Sequence, residues 1–256
     1  MRLEEYGQTL AYDVAFWMQG LANPDYPIDQ LGTLSVEVST KFRALAILTL
    51  LVKGEPDFFF HNLIRSGKSR EAYLRRLREA GLTREHHQAS GRYEPLLDVI
   101  ASGDWELARS IVSLSPSEFF SDHEWEDDYC YAQILHRFVA GAPLEQEMEM
   151  LFARLRRYLE REPSPRLDIS RALVRKDQDA FDEAFDQLIE ERGKQIEEDK
   201  ENGQLEEPEI MAQRQIFVEG LAILRLAELQ GLSTQDEYRY CPSLARVPMR
   251  STFPGE

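Results

Sequence analysis

Apolar residues recur at three- and four-residue intervals along most of the chain, while the period-two alternation of half-buried strands is nearly absent. The pattern predicts an all-α protein. Leu10, Val14, Trp17 and Leu21 fall on one face of a helix over about 3–21. Asn23-Pro24 and Tyr26-Pro27 close it, because a residue that precedes proline is disfavoured in helical conformation. From about Gly32 onward, Phe42, Leu45, Ala46, Leu48 and the run to Val52 are apolar nearly all round, which predicts a central helix ended by Lys53-Gly54 and Pro56. The one short strand-like run, Leu34-Ser35-Val36-Glu37-Val38, flows into that helix.

Further helices are predicted over 57–64, 68–80, 84–101 (interrupted at Gly91 and Pro95), 104–114, 122–140, 144–161, 168–175, 177–198 and 209–230, with a mobile loop over 200–208. About ten helices joined by short connections favour packed antiparallel hairpins, or a curved, repeat-like stack of them. One internal echo supports the stack. Ile100-Ala101-Ser102-Gly103-Asp104 and Leu173-Val174-Arg175-Lys176-Asp177 each place an aspartate where it can cap the next helix. A single all-α domain over 1–256 is expected, with 161–166, around Pro163 and Pro165, as the place for a sub-lobe boundary.

Charge narrows the function classes. Thirty Lys and Arg stand against 46 Asp and Glu, a formal net of −16 over 256 residues. Such a chain suits a basic partner and argues against a nucleic-acid binder, which needs a basic stripe along the phosphates. Ala44 to Val52, the most apolar uncharged run, is about half of the roughly 20 residues that a bilayer crossing needs, so no membrane partner is expected. The acidic start, Leu3-Glu4-Glu5, does not read as an export signal, and a cytoplasmic protein is expected. Cys130 and Cys241 lie far apart without a CxxC or Cys/His cluster, and read as reduced thiols rather than a disulfide or zinc set.

Motifs for chemistry are incomplete. Gly67-Lys68-Ser69 resembles the tail of a phosphate-binding loop, but the earlier glycine is replaced by Asn62 and no strand precedes it; a helix start after a tight turn explains it. His123-Glu124-Trp125-Glu126-Asp127 is one residue short of the HExxH zinc-protease pattern, with Asp127 in place of the second histidine. His61, His86, His87 and His136 offer no supporting spacing, and the pair His86-His87 reads as solvent-exposed on a helix. No enzyme, cofactor or metal is expected. The enzyme alternative is metal hydrolysis through His123 and Glu124.

Two acidic stretches stand out. Glu118 to Asp128 carries six acids and no base, with Trp125 and Tyr129 among them. Asp122, Glu124, Trp125, Glu126, Asp127 and Asp128 are the candidate contact residues, because aromatic anchors among charges steer and then dock an oppositely charged partner. The competing reading rests on helical spacing: Trp125, Tyr129, Ala132, Leu135 and Val139 share one face, so the aromatics would turn to the core while Glu126 and Asp127 fall opposite. Both readings stay open at this point. The longer acidic stretch from Asp177 to Glu209 reads as a solvated face, and Arg70, Arg75, Arg76 and Arg78 in the segment 65–84 as a salt-bridged exposed face.

Three of these stretches resemble the immunity protein 49 family of bacterial polymorphic toxin systems: Leu97-Asp98-Val99-Ile100-Ala101-Ser102-Gly103-Asp104, Glu124-Trp125-Glu126-Asp127-Asp128-Tyr129-Cys130-Tyr131, and Phe217 to Ala227 with Gly231-Leu232. The resemblance spans about residues 40–248. It implies an all-α cytoplasmic protein that binds and blocks a toxin, and it transfers no catalytic residue. With no export signal read, the toxin would act in the cytoplasm, as a nuclease of a contact-dependent or type VI secretion system does. A non-enzymatic helical adapter for a housekeeping protein is the alternative.

Overall fold

The structure, a computed structural model, describes residues 3–141, 145–160, 162–203 and 212–254. Among these, ten α-helices follow in order: α1 (Leu3–Ala22), α2 (Ile28–Lys53), α3 (Pro56–Glu79), α4 (Glu94–Ser102), α5 (Trp105–Leu114), α6 (Glu126–Ala140), α7 (Glu145–Tyr158), α8 (Pro165–Arg175), α9 (Gln178–Glu201) and α10 (Val218–Gln230). Short 3₁₀ turns occur at His86–Gln88 and Ser243–Ala245, and an isolated bridge joins Tyr238 to Cys241. No helix among the described residues is long and apolar enough to cross a membrane.

The central pair is α2 and α3, joined by Gly54-Glu55. Helix α1 packs on α2, while α3 also carries α4 and α5 on its flank; α10 returns along α4, and α8 with α9, and α6 with α7, form further pairs. The apolar stripes meet in a core that includes Leu31, Ile47, Phe59, Leu63, Val99, Ile134, Phe181 and Leu224, all fully buried or nearly so. As the pattern around Phe42 indicated, α2 is apolar on most sides and buries twelve residues.

Several expected boundaries shift. Helix α2 starts at Ile28, just after Pro27, rather than near Gly32. The two helices expected over 57–64 and 68–80 are one, so Gly67-Lys68-Ser69 lies inside α3 and not at a turn. The glycine is there for closeness: a Cβ on Gly67 would stand 2.0 Å from Val99 Cγ2, so α3 and α4 can approach only without it. Residues 84–93 form a 3₁₀ turn and loop, and α4 begins at Glu94 with Pro95 in its first turn. Helix α9 runs on to Glu201, past the start of the expected loop, and 204–208 lie outside the described residues. Of the helix expected from Glu209, residues 209–211 also lie outside them, and α10 starts only at Val218.

The basic segment is not the exposed, salt-bridged face that its charges suggested. Arg70 is 4% exposed and donates to the carbonyls of His87, Gln88 and Ala89. Arg76 donates to those of Asn23, Pro24 and Tyr26, and Arg78 to that of Ser113. Only Arg75, paired with Glu71 at 2.7 Å, fits the expectation. Each planar guanidinium offers several donors in a fixed fork, and Arg70, Arg76 and Arg78 spend them on backbone carbonyls of turns and a helix end rather than on carboxylates.

The internal echo is a shared local geometry. Asp104 accepts from Leu107 N–H at 3.0 Å, and Asp177 from Ala180 N–H at 3.2 Å. In each, the residue before the cap is left-handed: Gly103 at φ 79° and Lys176 at φ 54°. Lysine carries the steric cost of that conformation and glycine does not. Lys176→Gly is therefore expected to stabilise the fold by about 0.5–1 kcal/mol, read as a higher urea midpoint at unchanged slope. An unchanged or lower midpoint would refute the steric account.

Candidate functional site

The acidic stretch 118–128 is a fastened loop followed by the first turn of α6. Glu124 is the fastener: Oε2 accepts from Gly91 N–H at 2.6 Å and Ser90 Oγ–H at 3.3 Å, and Oε1 from Phe120 N–H at 2.9 Å. Tyr129 Oη donates to Ser117 O at 2.8 Å, and Gln133 Nε2 to Pro116 O at 3.1 Å. These bonds hold 122–125 outside the helix expected to start at Asp122; α6 starts at Glu126, with Trp125 extended at ψ 151°. Three acids then fill the first turn, where the helix dipole favours negative charge.

The two aromatics part company. Tyr129 is 7% exposed and packs in the core, as helical spacing suggested, whereas Trp125 lies outside the helix and is 72% exposed. The shared-face reading fails for Trp125 because the register it assumed starts one residue too early. Glu126 and Asp127 are half-buried rather than free on an outer face. Glu126 accepts from Arg154 Nε of α7 at 2.7 Å, and that guanidinium lies over the rings of Phe119 and Tyr129. Asp128 accepts from Tyr93 Oη at 3.2 Å, and burial, then the neighbouring Asp127, pushes its pKa up. Asp122 is exposed, 3.8 Å from Arg84. Asp127 keeps a buried oxygen, Oδ1, with no hydrogen-bond partner in the protein.

Two clefts flank this first turn, and Asp128 borders both. The first, about 350 Å³, lies between the loop and the His86–Gln88 turn and is lined by His86, Arg92, Asp122, His123 and Trp125. Arg92 Nη2 donates to His86 Nε2 at 3.2 Å, which leaves Nδ1 of a neutral His86 as the donor to His123 Nδ1 at 3.4 Å. Burial, then Arg92 and His123, lowers the His86 pKa and favours its neutral form. His87, expected in solvent, is half-buried beside Gly32 with Nε2 3.2 Å from the Thr33 hydroxyl; burial, then His86 and the arginines, pushes it down to about 4. Sequence spacing did not signal the His86–His123 contact, which depends on the loop path. Among the described residues no group of three metal-ligating side chains forms, and Glu124, the base of a would-be HExxH site, is spent on the loop.

The second cleft, about 340 Å³, lies on the other side of α6 against α7, α8 and α9. Arg166 meets Glu219 through two bonds of 2.6 and 2.8 Å and stacks over Tyr131 at 5.1 Å. Asp98 is buried, held by Arg43 Nε at 2.6 Å and Ser66 Oγ at 2.5 Å, and burial outweighs Arg43 in pushing its pKa up. Each of the three resembling stretches thus sends a carboxylate into a bond between elements: Asp98 on α4 and Glu219 on α10 to neighbouring helices, and Asp128 on α6 to Tyr93 in the loop before α4. Most of their polar residues build the fold, and Trp125 stands apart. Cys130 and Cys241 are buried free thiols, pushed up by burial to about 11 and about 12.

The described structure is thus an all-α protein with an acidic face on which the exposed Trp125 lines one of two clefts. The family model for immunity protein 49 matches residues 34–245, and the chain belongs to that family. It is by family an immunity protein, a class whose partner is a toxin. No curated protein and no solved structure matches it.

Proposed function

We propose that this protein neutralises a basic toxin acting in the cytoplasm, a nuclease of a contact-dependent or type VI secretion system, by covering its active site with the face formed by Asp122, Glu124, Trp125, Glu126, Asp127 and Asp128. The observation that carries this reading is Trp125, 72% exposed at the end of a loop fastened at several points. A pre-ordered aromatic loses little entropy on docking, and the acids around it, in a chain of net −16, attract a basic surface over distance. The roles divide: Trp125 anchors, Asp122 and Asp127 supply field, and Glu124 holds the loop in shape. An interface of this kind buries about 1,600 Å² in total, so neighbouring helices join it.

Co-expression in bacteria with the toxin domain encoded beside this chain tests the reading. Survival of the cells and co-purification of a complex are expected. An Asp122→Lys, Trp125→Ala double variant, at two exposed positions, should lose both while melting normally; normal protection by that variant would exclude this face. Continued killing with both wild-type proteins soluble would leave the adapter role instead.

A further inference from the structure

We propose that the cleft between α6 and α9 receives an arginine side chain of the toxin, an inference that rests on the reading above. The walls set the chemistry. Leu155 of α7 and Leu159 just after it give an apolar side against which a long aliphatic stem can lie. The charges around them are unevenly spent. Arg166 and Glu219 satisfy each other through two bonds, and Asp128 accepts from Tyr93. That leaves the carboxylates of Asp127 and Glu191 against the single guanidinium of Arg192. Arg192 turns one N–H to the carbonyl of Gln213 at 3.2 Å and lies 5.4 Å from the centre of the Phe217 ring.

The decisive atom is Asp127 Oδ1. It is buried and accepts from no protein donor, although a carboxylate oxygen withdrawn from water without a donor is costly. A guanidinium supplies donors in a planar fork and is less strongly hydrated than an ammonium, so it enters such a cleft at lower cost than lysine. The negative field reaches Tyr158, the chain neighbour of the lining residue Leu159: its hydroxyl is pushed up by burial and then by Asp127, Glu126 and Asp128. The cleft is continuous with the Trp125 face through Asp128, which borders both clefts. One toxin surface can therefore place an aromatic-binding pocket on Trp125 and an arginine beside Asp127.

The test is a titration of the whole chain with L-argininamide, following the methyl NMR signals of Leu155 and Leu159, with the neutral isostere L-citrullinamide as control. Saturable shifts with argininamide, at least tenfold weaker with citrullinamide, are expected. Asp127→Asn should weaken argininamide binding at least tenfold; should that variant not fold, Glu191→Gln, at an exposed position on α9, carries the same expectation. Equal response to the two amides, no saturation, or unchanged affinity in the folded variant would overturn the proposal. Co-expression separates this failure from that of the wider reading. Full protection by Asp127→Asn with Glu191→Gln would remove the arginine cleft and leave immunity standing. Failure of the wild type to protect would remove immunity, while the amide titration still decides what the cleft accepts.

Discussion

Trp125→Ala is expected to weaken toxin binding by about 30- to 1,000-fold, the range of a truncated interface anchor worth about 2–4 kcal/mol, and to leave the melting temperature within a degree or two of wild type. The asymmetry follows from its position. At 72% exposure the indole contributes little to the core, and the loop is fastened by Glu124, Tyr129 and Gln133, none of which uses the Trp125 side chain. Glu124→Gln should give a different signature. Each of its oxygens accepts a backbone N–H, from Gly91 and from Phe120, and an amide nitrogen in place of one of them puts donor against donor. That variant should soften the loop and lower both the melting temperature and the affinity. Calorimetric titration of the two variants against the toxin domain, with a thermal melt of each, checks the pair. A Trp125→Ala protein that binds as wild type would remove the indole from the interface.

Acidification from pH 7 to pH 5 is expected to cost about 2 kcal/mol of stability through His136 alone. This ring is 8% exposed on α6, and burial, then the positive charges of Arg70 and Arg137, pushes its pKa down to about 4. A histidine depressed in the folded state stays neutral there, while the unfolded chain takes up a proton near pH 6.5. The full contribution is therefore present above the unfolded value and is lost as pH falls from about 6.5 toward 4. His87, also pushed down to about 4, adds in the same direction. Urea unfolding at the two pH values should show the loss, and His136→Gln should remove about 2 kcal/mol of it, the share of that ring, and leave the share of His87. An equal loss in that variant would place the acid sensitivity elsewhere.

The family resemblance read from three stretches and the family match over residues 34–245 agree, and the structure gives the resemblance a physical content. Asp98, Tyr131 and Glu219 are needed where helices meet, and Asp128 where α6 meets the loop before α4. Each lies in a low-dielectric contact where an unpaired partner would be costly. Such residues identify a fold more readily than they identify a partner, and this is why the motif as a whole did not separate Trp125 from its neighbours.

What was legible in the sequence is what local physics controls. The three- and four-residue spacing gave the helices, and Asp104 and Asp177 cap α5 and α9 through bonds that reach only three residues along the chain. Gly54 and Gly231 end their helices for reasons internal to their own backbone. Tertiary structure decided the rest. Gly67 looked like a turn because a glycine in sequence does not say whether it is bent or closely packed, and only the approach of Val99 tells. Arg70 and Arg76 looked like an exposed charged face because loop carbonyls, which absorb them, have no sequence signature. Trp125 and Tyr129 share a helical interval, yet one faces water and the other the core. Glu124 made bonds to Gly91 and Phe120 and so ended the helical register between them, and a bond across 33 residues is a property of the folded chain alone.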